Sequence, residues 1–240
     1  MRHLLLITLL SVTTNVFAGW YNCYSYKGQI AGVNVHVYLQ FREINATSKD
    51  TIPVSGIYKY DNHNDPIELK GVLIKGKTLE LSEYHNNVST AKLNFQWHEQ
   101  SLDGLWKSDK KSYKITLTKI GSLVDTKTEG INKSTEILMA SSFKDEYLIG
   151  IYYKEPNDYR ARLSELRILN KKTNEVKQLI AFDRNDRPVG NVSTVIFEAI
   201  RVWENLDKAE RAIEVEEDDG RGGQSFFMTY NNEKKKFIKD

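Results

Sequence analysis

Strict alternation of apolar and polar side chains is the feature that most constrains this chain, and it is clearest in residues 54–84. This stretch, VSGIYKYDNHNDPIELKGVLIKGKTLELSEY, predicts three short strands joined by two turns. Leu79 and Leu81 alternate with charged or hydroxyl-bearing side chains, and a period of two is typical of a strand with one buried face in an antiparallel sheet. Residues 75–77 supply a glycine for a hairpin turn, and Pro66 suits the first position of a strand.

The same rhythm continues over residues 19–121 and predicts eight strands. We place them at residues 20–27, 33–44, 54–60, 67–74, 78–84, 90–98, 102–107 and 112–119. Many short strands separated by turns favour an antiparallel meander that closes into a barrel or packs as a sandwich. About eight strands fit a small up-and-down barrel, whose interior is filled by side chains or holds one small ligand. We therefore predict an all-β chain whose first domain, 19–121, is barrel-like.

Residues 1–18 have the organisation of a secretory signal peptide, with a basic start, a short apolar run and small residues before the expected cleavage at Gly19. The apolar run is shorter than the roughly 20 residues that a membrane-spanning helix needs. Cys23 is the one cysteine, so no intramolecular disulfide can form, and we expect it to be buried among the aromatic residues near it. These features favour a soluble, exported protein of the Gram-negative periplasm.

A second, mostly-β domain is predicted over residues 135–240, after a polar linker at 122–134 that has no periodicity. Strands are expected at 147–153 and in a hairpin formed by 160–169 and 176–182. Residues 194–206 fit a helix face, yet their β-branched residues and a partner segment at 212–216 favour a strand. Whether this region folds independently or completes the first sheet is left open by the sequence.

Part of the first domain resembles exported bacterial β-proteins of unassigned role. The resemblance lies in the runs G-x-Y-x-Y, I-x-L-x-G, L-x-L-x-E and L-D-G-x-W, and it implies a fold without implying catalytic residues. The residues that carry it are Gly56, Tyr58, Tyr60, Ile67, Leu69, Gly71, Leu79, Leu81, Glu83, Leu102, Asp103, Gly104 and Trp106.

The end of the chain resembles the C-terminal part of periplasmic lysozyme-inhibitor-like proteins. In those proteins strands bracket an acidic, glycine-rich loop and K-x-F lies near the terminus, as Lys235-Lys236-Phe237 does here. An acidic turn of such relatives corresponds to residues 205–208, which hold a single carboxylate. The resemblance therefore implies an inhibitor without a metal site at that turn.

Motifs of several enzyme classes are missing from the sequence. We find no H-E-x-x-H zinc motif, no G-x-S-x-G nucleophile elbow and no phosphate-binding loop. Glu80 and Glu83 are candidates for a glycosidase pair, but Glu80 is expected to face solvent among lysines. A metal site from His63 and His85 at a barrel end is the alternative to surface histidines. We predict no enzyme, no metal and no cofactor, although catalytic groups on scattered strand ends would leave no local motif.

Charge further limits the partners. The net charge is +2 and no basic stripe is present, which argues against a nucleic-acid partner, and no apolar run after residue 18 is long enough to span a membrane. The most polarised segment is the acidic, glycine-rich stretch 216–223, which we expect to project as a loop. The predicted partner-binding residues are Glu216, Glu217, Asp218, Asp219 and Arg221.

Two functions follow as hypotheses. The first is a non-enzymatic periplasmic binding protein, an inhibitor or immunity-type protein, whose acidic loop is steered to a basic cleft of a cell-envelope hydrolase or toxin. The alternative is a small-ligand or glycan-binding protein that uses the mouth of the N-terminal barrel. Trp20, Trp97 and Trp106 are its predicted stacking surfaces, although Trp97 and Trp106 also suit a core.

Overall fold

The computed structural model describes residues 21–42, 50–124, 134–153, 162–183, 195–208, 210–218 and 223–239, and these residues are all-β. The first half contains β1 (Tyr21–Ile30), β2 (Val33–Arg42), β3 (Thr51–Tyr60), β4 (His63–Ile74), β5 (Thr78–His85), β6 (Val88–His98), β7 (Ser101–Lys107) and β8 (Ser112–Val124). The second half contains β9 (Thr135–Leu138), β10 (Glu146–Tyr153), β11 (Arg162–Asn170), β12 (Val176–Ala181), β13 (Ile200–Asn205), β14 (Glu210–Asp218), β15 (Gly223–Asn231) and β16 (Lys236–Lys239). Nowhere in these ranges is there a helix with the length and apolar character needed to cross a membrane.

Strands β1 to β8 form a closed barrel in which each strand pairs antiparallel with the next and β8 pairs with β1. The predicted antiparallel meander and barrel are therefore confirmed, and all eight predicted strand positions correspond to a strand. One detail is wrong: β4 begins at His63, so Pro66 lies inside the strand instead of starting it. Pro66 is tolerated there because the register between β3 and β4 shifts between Tyr58 and Tyr60, and such an irregularity removes the need for a ladder hydrogen bond.

Alternate side chains of the barrel strands fill its interior. The buried set is almost entirely apolar, and burial of this kind is the main stabilising contribution to a fold. Its members are Tyr26, Ile30, Val35, Val37, Leu39, Phe41, Val54, Tyr58, Leu69, Leu73, Leu79, Leu81, Leu93, Phe95, Leu102, Ile115 and Leu117. The middle of the barrel is consequently a packed core.

Glycines allow strands of the barrel to approach closely and bend. A Cβ atom placed on Gly71 would lie 1.8 Å from the backbone oxygen of Glu80 on the neighbouring strand. Gly28, Gly56 and Gly104 are equally confined, with a backbone oxygen 2.0 to 2.3 Å from the added atom. Glycine within a strand commonly marks such a bend or close approach, and curvature of this kind helps a small barrel to close.

The second half forms two four-stranded antiparallel sheets, β9–β12 and β13–β16, which share one hydrophobic core and are called here the two-sheet unit. Within the contested segment, β13 covers Ile200–Asn205, which confirms the strand interpretation for those residues. Residues 195–199 precede it as turns, with Val195, Ile196 and Ala199 buried in the core. The predicted strand at 147–153 and the hairpin of 160–169 with 176–182 are confirmed as β10, β11 and β12.

The two-sheet unit packs on the outer wall of the barrel. Outward-facing residues of the barrel, among them Cys23, Tyr38 and Ile57, belong to the same buried cluster as the core of the unit. The backbone N–H of Val195 donates to Oε1 of Gln40 on β2 at 2.8 Å, so a buried amide joins the two halves. The Cys23 thiol donates to the same oxygen at 3.6 Å, which confirms the expected burial of this cysteine.

Strand β8 extends through Val124, and therefore into the segment predicted as a linker at 122–134. Leu123 is buried in the core that the two halves share, and the Thr135 hydroxyl donates to the backbone oxygen of Ser122 at 2.9 Å. Residues 125–133 of the predicted linker lie outside the described residues. The described ends of that segment are thus fixed by packing on both sides.

A charged network lies inside the two-sheet unit. The Glu146 carboxylate is buried and pairs with Arg211 on β14 and with Lys177 on β12. The Arg211 guanidinium also lies over the rings of Phe143 and Phe237, with centroids at 4.2 and 5.2 Å. Burial lowers the pKa of Arg211, because a desolvated environment disfavours its charged form. These contacts connect the two sheets through charge as well as through apolar packing.

Candidate functional site

The two ends of the barrel are built differently, and the predicted stacking tryptophans are divided between them. Four hairpin turns, those that follow β1, β3, β5 and β7, lie at one end, called here the hairpin end. Trp106 pairs with Leu93 and Trp97 pairs with Leu102, so about 13 Å of strand separates the two tryptophans along the β6–β7 ladder. Trp106 lies at the hairpin end and Trp97 at the opposite end. The prediction of one mouth containing both is therefore wrong, and Trp20 lies outside the described residues.

Trp97 is part of an aromatic plug. Its ring contacts those of Phe41, Tyr24 and Tyr26, with centroid distances of 4.5, 5.6 and 6.2 Å. The ammonium group of Lys119 lies 5.5 Å from the centre of the Tyr24 ring and pairs with Glu99 at 2.7 Å. Burial is the main reason that the pKa of Tyr24 is raised to about 12. These contacts close this end of the barrel and leave Trp97 serving the core.

At the hairpin end the aromatic side chains surround an opening. The rings of Trp106 and Tyr113 are stacked, with centroids 5.6 Å apart and planes 27° from parallel. Tyr60 meets Tyr58 edge to face at 5.4 Å. Trp106, Tyr113 and Tyr60 are partly exposed. They line a cavity of about 240 Å³ together with Asn62, His63, Ile30, Ala31 and Val33.

Glu83 lies beneath this opening and fixes aromatic side chains around it by hydrogen bonds. Its Oε2 atom accepts hydrogen bonds from the Tyr58 hydroxyl at 2.6 Å and from Trp106 Nε1 at 3.0 Å, and its Oε1 atom accepts one from Thr90 at 2.7 Å. Burial and this hydrogen bond to Glu83 raise the pKa of Tyr58. Glu80 is exposed on the other side of β5, so the two carboxylates do not form a catalytic pair.

The acidic segment is less of a loop than the sequence predicts. Glu216, Glu217 and Asp218 belong to β14 and pair with residues 223–225 of β15. The expectation of a projecting loop from 216 to 223 is wrong for these positions, because the hairpin continues its ladder to Asp218 and Gly223. The Glu216 carboxylate accepts from the Ser225 hydroxyl at 3.0 Å and lies 3.8 Å from Arg201. Asp219 and Arg221 lie outside the described residues.

Sequence reasoning missed an exposed aromatic residue on the outer face of the β13–β16 sheet. Trp203 is 58% exposed, and Leu206 and Phe227 nearby are 63% and 44% exposed. Trp203 pairs with Ala212, which pairs with Thr229, so small side chains lie beside the indole ring. In a strand over 200–205, Trp203 shares a face with the polar residues Arg201 and Asn205. This alternation was the signal from which the exposure of Trp203 could have been predicted.

A cleft of about 510 Å³ adjoins the indole ring of Trp203. Arg211, Tyr230 and Lys208 contribute to its walls, together with Glu204, Asn205, Glu210, Ala212, Thr229 and Asn232. Tryptophan, tyrosine and arginine are the residue types most enriched at the energetic centres of protein interfaces. The arrangement can accept a side chain from a partner, with the indole on one wall and mixed charges around it.

The described residues give little support for a metal site or for an acid–base catalytic site. In these ranges no three His, Cys, Asp or Glu side chains are grouped so as to hold a metal ion. His63 begins β4 and His85 ends β5, so both lie at strand ends of the hairpin end. His36 lies 3.4 Å from Asp61, and its pKa is lowered mainly by burial.

Comparisons of the chain with protein-family models, with curated proteins and with solved structures yield no match. The two resemblances proposed from sequence therefore stay predictions. The two surfaces just described, the mouth at the hairpin end and the outer face around Trp203, are the candidate functional sites.

Proposed function

We propose that this chain is a non-enzymatic, exported binding protein that recognises a protein of the cell envelope, a hydrolase or a toxin, as an inhibitor or immunity-type protein. The observation that carries the proposal is the outer face of the β13–β16 sheet. There an exposed tryptophan stands beside a cleft on a rigid, paired surface. An exposed apolar patch with a polar rim commonly marks a protein interaction site, and Leu206 and Phe227 are exposed near Trp203.

The geometry favours a protein partner for this face over a small ligand. A sheet supplies a broad and preorganised surface, and the cleft of about 510 Å³ beside Trp203 has room for a side chain from a second surface. Trp203 and Phe227 supply the apolar centre, while Arg201 and Glu214 pair at 3.5 Å within the same face. Interfaces of this composition have apolar anchors at the centre and a polar rim.

Charge suggests the kind of partner. Strand β14 ends in the acidic sequence EED at 216–218, while the basic sequence KKK at 234–236 spans the end of the β15–β16 turn and the start of β16. These segments lie at opposite ends of the hairpin ladder, so the sheet has an acidic sequence at one end and a basic sequence at the other. A partner with a basic cleft edge would be steered toward the acidic end, and steering of this kind acts mainly on the association rate.

Affinity capture tests the proposal. The mature chain is used to capture proteins from periplasmic extracts, including those of competing strains, and from a panel of purified lysozymes, with mass spectrometry as the readout. We expect a stoichiometric envelope hydrolase or toxin whose activity falls when the complex forms. Capture of no such protein by the wild-type chain would overturn the proposal.

Three variants then locate the interface. Trp203→Ala should weaken binding at least about 30-fold, as expected for a central anchor. Leu179→Ala is the matched control, since Leu179 is 53% exposed but lies on β12 in the other sheet. Replacing Glu217, Asp218 and Asp219 by alanine should slow association and reduce its salt dependence. Equal affinity of Trp203→Ala and the wild-type chain would remove this face from the proposal.

A further inference from the structure

We propose that the hairpin end of the barrel is a second binding site, for a single uncharged saccharide ring that packs against the stacked pair of Trp106 and Tyr113. The site is separate from the Trp203 face, so the failure of one proposal leaves the other standing. It is built from residues of β1, β2, β3, β4, β7 and β8 and of the turns between them, which meet only when the barrel closes.

The aromatic walls of this site are held in place before any ligand arrives. Trp106 Nε1 and the Tyr58 hydroxyl both donate to the same oxygen of Glu83, which connects β7, β3 and β5 across the opening. Tyr58 in turn interacts with Tyr60 through a side-chain hydrogen bond. A ring fixed by packing and hydrogen bonds loses little conformational entropy on binding, so a preorganised site binds more tightly.

Glu83 itself is occupied by protein groups. Its two oxygens accept three hydrogen bonds, from Tyr58, Trp106 and Thr90. It is therefore placed to orient the rings beneath the opening and does not line the cavity. Glu83 acts as a positioning residue, and the contacts to a ligand fall to the residues above it.

The lining of the cavity selects the chemistry of the ligand. None of its residues is an aspartate, glutamate, lysine or arginine, which disfavours an ionic ligand. Indole and phenol rings offer flat apolar surfaces, and the Asn62 amide and His63 imidazole offer hydrogen bonds at the rim. A saccharide ring has the matching pattern, with C–H groups on one face and hydroxyl groups around the edge.

Size limits the ligand to about one ring. A volume of about 240 Å³ is below the range of about 300–1,000 Å³ typical of sites for drug-sized molecules. The packed interior beneath, with Tyr58 and Ile115 buried, leaves no continuation of the cavity into the barrel. A longer glycan would therefore contribute one residue to the site and extend outward over the turns.

Saturation-transfer NMR tests the proposal, with methyl β-glucoside and N-acetylglucosamine as probes and tryptophan fluorescence as a second readout. We expect millimolar binding, with the strongest transfer to the protons of one ring face. Trp106→Ala should weaken binding about tenfold, and Leu179→Ala, on β12 of the two-sheet unit, should leave it unchanged. Asn62→Ala should also weaken binding, and this exposed rim position keeps the test valid if Trp106→Ala does not fold.

Two outcomes would overturn the proposal. One is the absence of transfer and of any fluorescence change with both saccharides at millimolar concentrations. The other is binding of indole or of an aliphatic alcohol, used as probes under the same conditions, without binding of either saccharide. The second outcome would assign the opening to a purely apolar ligand.

Discussion

The barrel and the two-sheet unit are both antiparallel meanders, yet they are held together by different means. The barrel has an apolar interior whose fit depends on glycines such as Gly71, where neighbouring backbones approach closely. The two-sheet unit also has an apolar core, but it contains the buried Glu146 carboxylate with Arg211 and Lys177. The comparison shows that the closed sheet relies mainly on regular alternation and close backbone approach, whereas the two stacked sheets also enclose a buried carboxylate with charged partners distant in sequence.

The largest effect is expected from removing the carboxylate at the centre of the charged network. Glu146→Ala leaves the Arg211 guanidinium in an aromatic, poorly solvated setting, and the free energy of unfolding should fall by about 3–5 kcal/mol. Urea denaturation measures this loss. Glu68→Ala on the barrel wall is the matched control, because Glu68 pairs with Lys70 in a more exposed setting and should cost at most about 1 kcal/mol.

A double variant separates charge from shape. Replacing Glu146 by leucine and Arg211 by methionine removes both central charges together, and their other partners, Lys177 and Glu204, lose one ion pair each. Such replacements are often neutral or stabilising, and we expect stability close to that of the wild-type chain. If Glu146→Ala alone lowers the free energy of unfolding by less than about 1 kcal/mol, the charged network does not distinguish the two-sheet unit from the barrel.

The next largest effect is expected inside the barrel. The added methyl group of Gly71→Ala would lie 1.8 Å from the Glu80 backbone oxygen, so β4 and β5 must move apart. We expect a loss of about 3 kcal/mol in the free energy of unfolding, measured by thermal or urea denaturation. Gly121→Ala on β8 is the control, since its new atom would first meet a Thr135 methyl group at 3.3 Å. Equal tolerance of both variants would contradict the role given to close backbone approach.

The same difference explains what could be predicted from the sequence. The alternation in β5 and β6 has one buried and one more exposed face, so periodicity located these strands and predicted the barrel. The extension of β14 to Asp218 was not predicted, because EEDDG is typical of a turn and the ladder with β15 overrides that local preference. Cross-strand pairing is a tertiary effect, and local composition does not encode it.

The candidate sites were less predictable than the fold. Sequence identified Trp97 and Trp106 as aromatic surfaces, but only the barrel topology assigns them to opposite ends. Residues 194–206 were favoured as a strand over a helix, but the face of the strand on which Trp203 lies was not considered, so its exposure was missed. Long-range contacts such as that of Gln40 with Val195 leave no periodic pattern, so the docking of the two-sheet unit on the barrel could not be inferred.

A smaller effect tests how the two sheets are joined at their edges. The Gln178 side chain of β12 donates to the Phe237 backbone oxygen at 2.9 Å and accepts from the Phe237 N–H at 2.8 Å. It thereby satisfies backbone groups of β16, an edge strand with no further neighbour among the described residues of its sheet. Gln178→Ala should cost about 1–2 kcal/mol and speed hydrogen exchange at the Phe237 amide.

Gln178→Glu provides the matched control for this contact. A carboxylate can still accept from the Phe237 N–H but cannot donate to its carbonyl oxygen, so an intermediate exchange rate is expected. Unchanged protection of the Phe237 amide in Gln178→Ala would mean that the edge is stabilised by its apolar neighbours alone. In that case the edges of the two-sheet unit would be stabilised by apolar packing, as the interior of the barrel is, and not by specific polar contacts.

The smallest effect concerns His36, which lies on the outer wall of the barrel next to Asp61. Burial lowers its pKa in the folded chain, partly opposed by Asp61, so the unfolded chain binds a proton at a higher pH than the folded chain does. The free energy of unfolding should therefore fall as the pH drops below about 6.5, by a few tenths of a kcal/mol. Comparing urea denaturation of wild type and His36→Gln at neutral and mildly acidic pH measures this term. A larger acid sensitivity in His36→Gln than in the wild type would reverse the sign and would mean that Asp61 outweighs burial. The result would then place charge pairing on the barrel wall as well as inside the two-sheet unit.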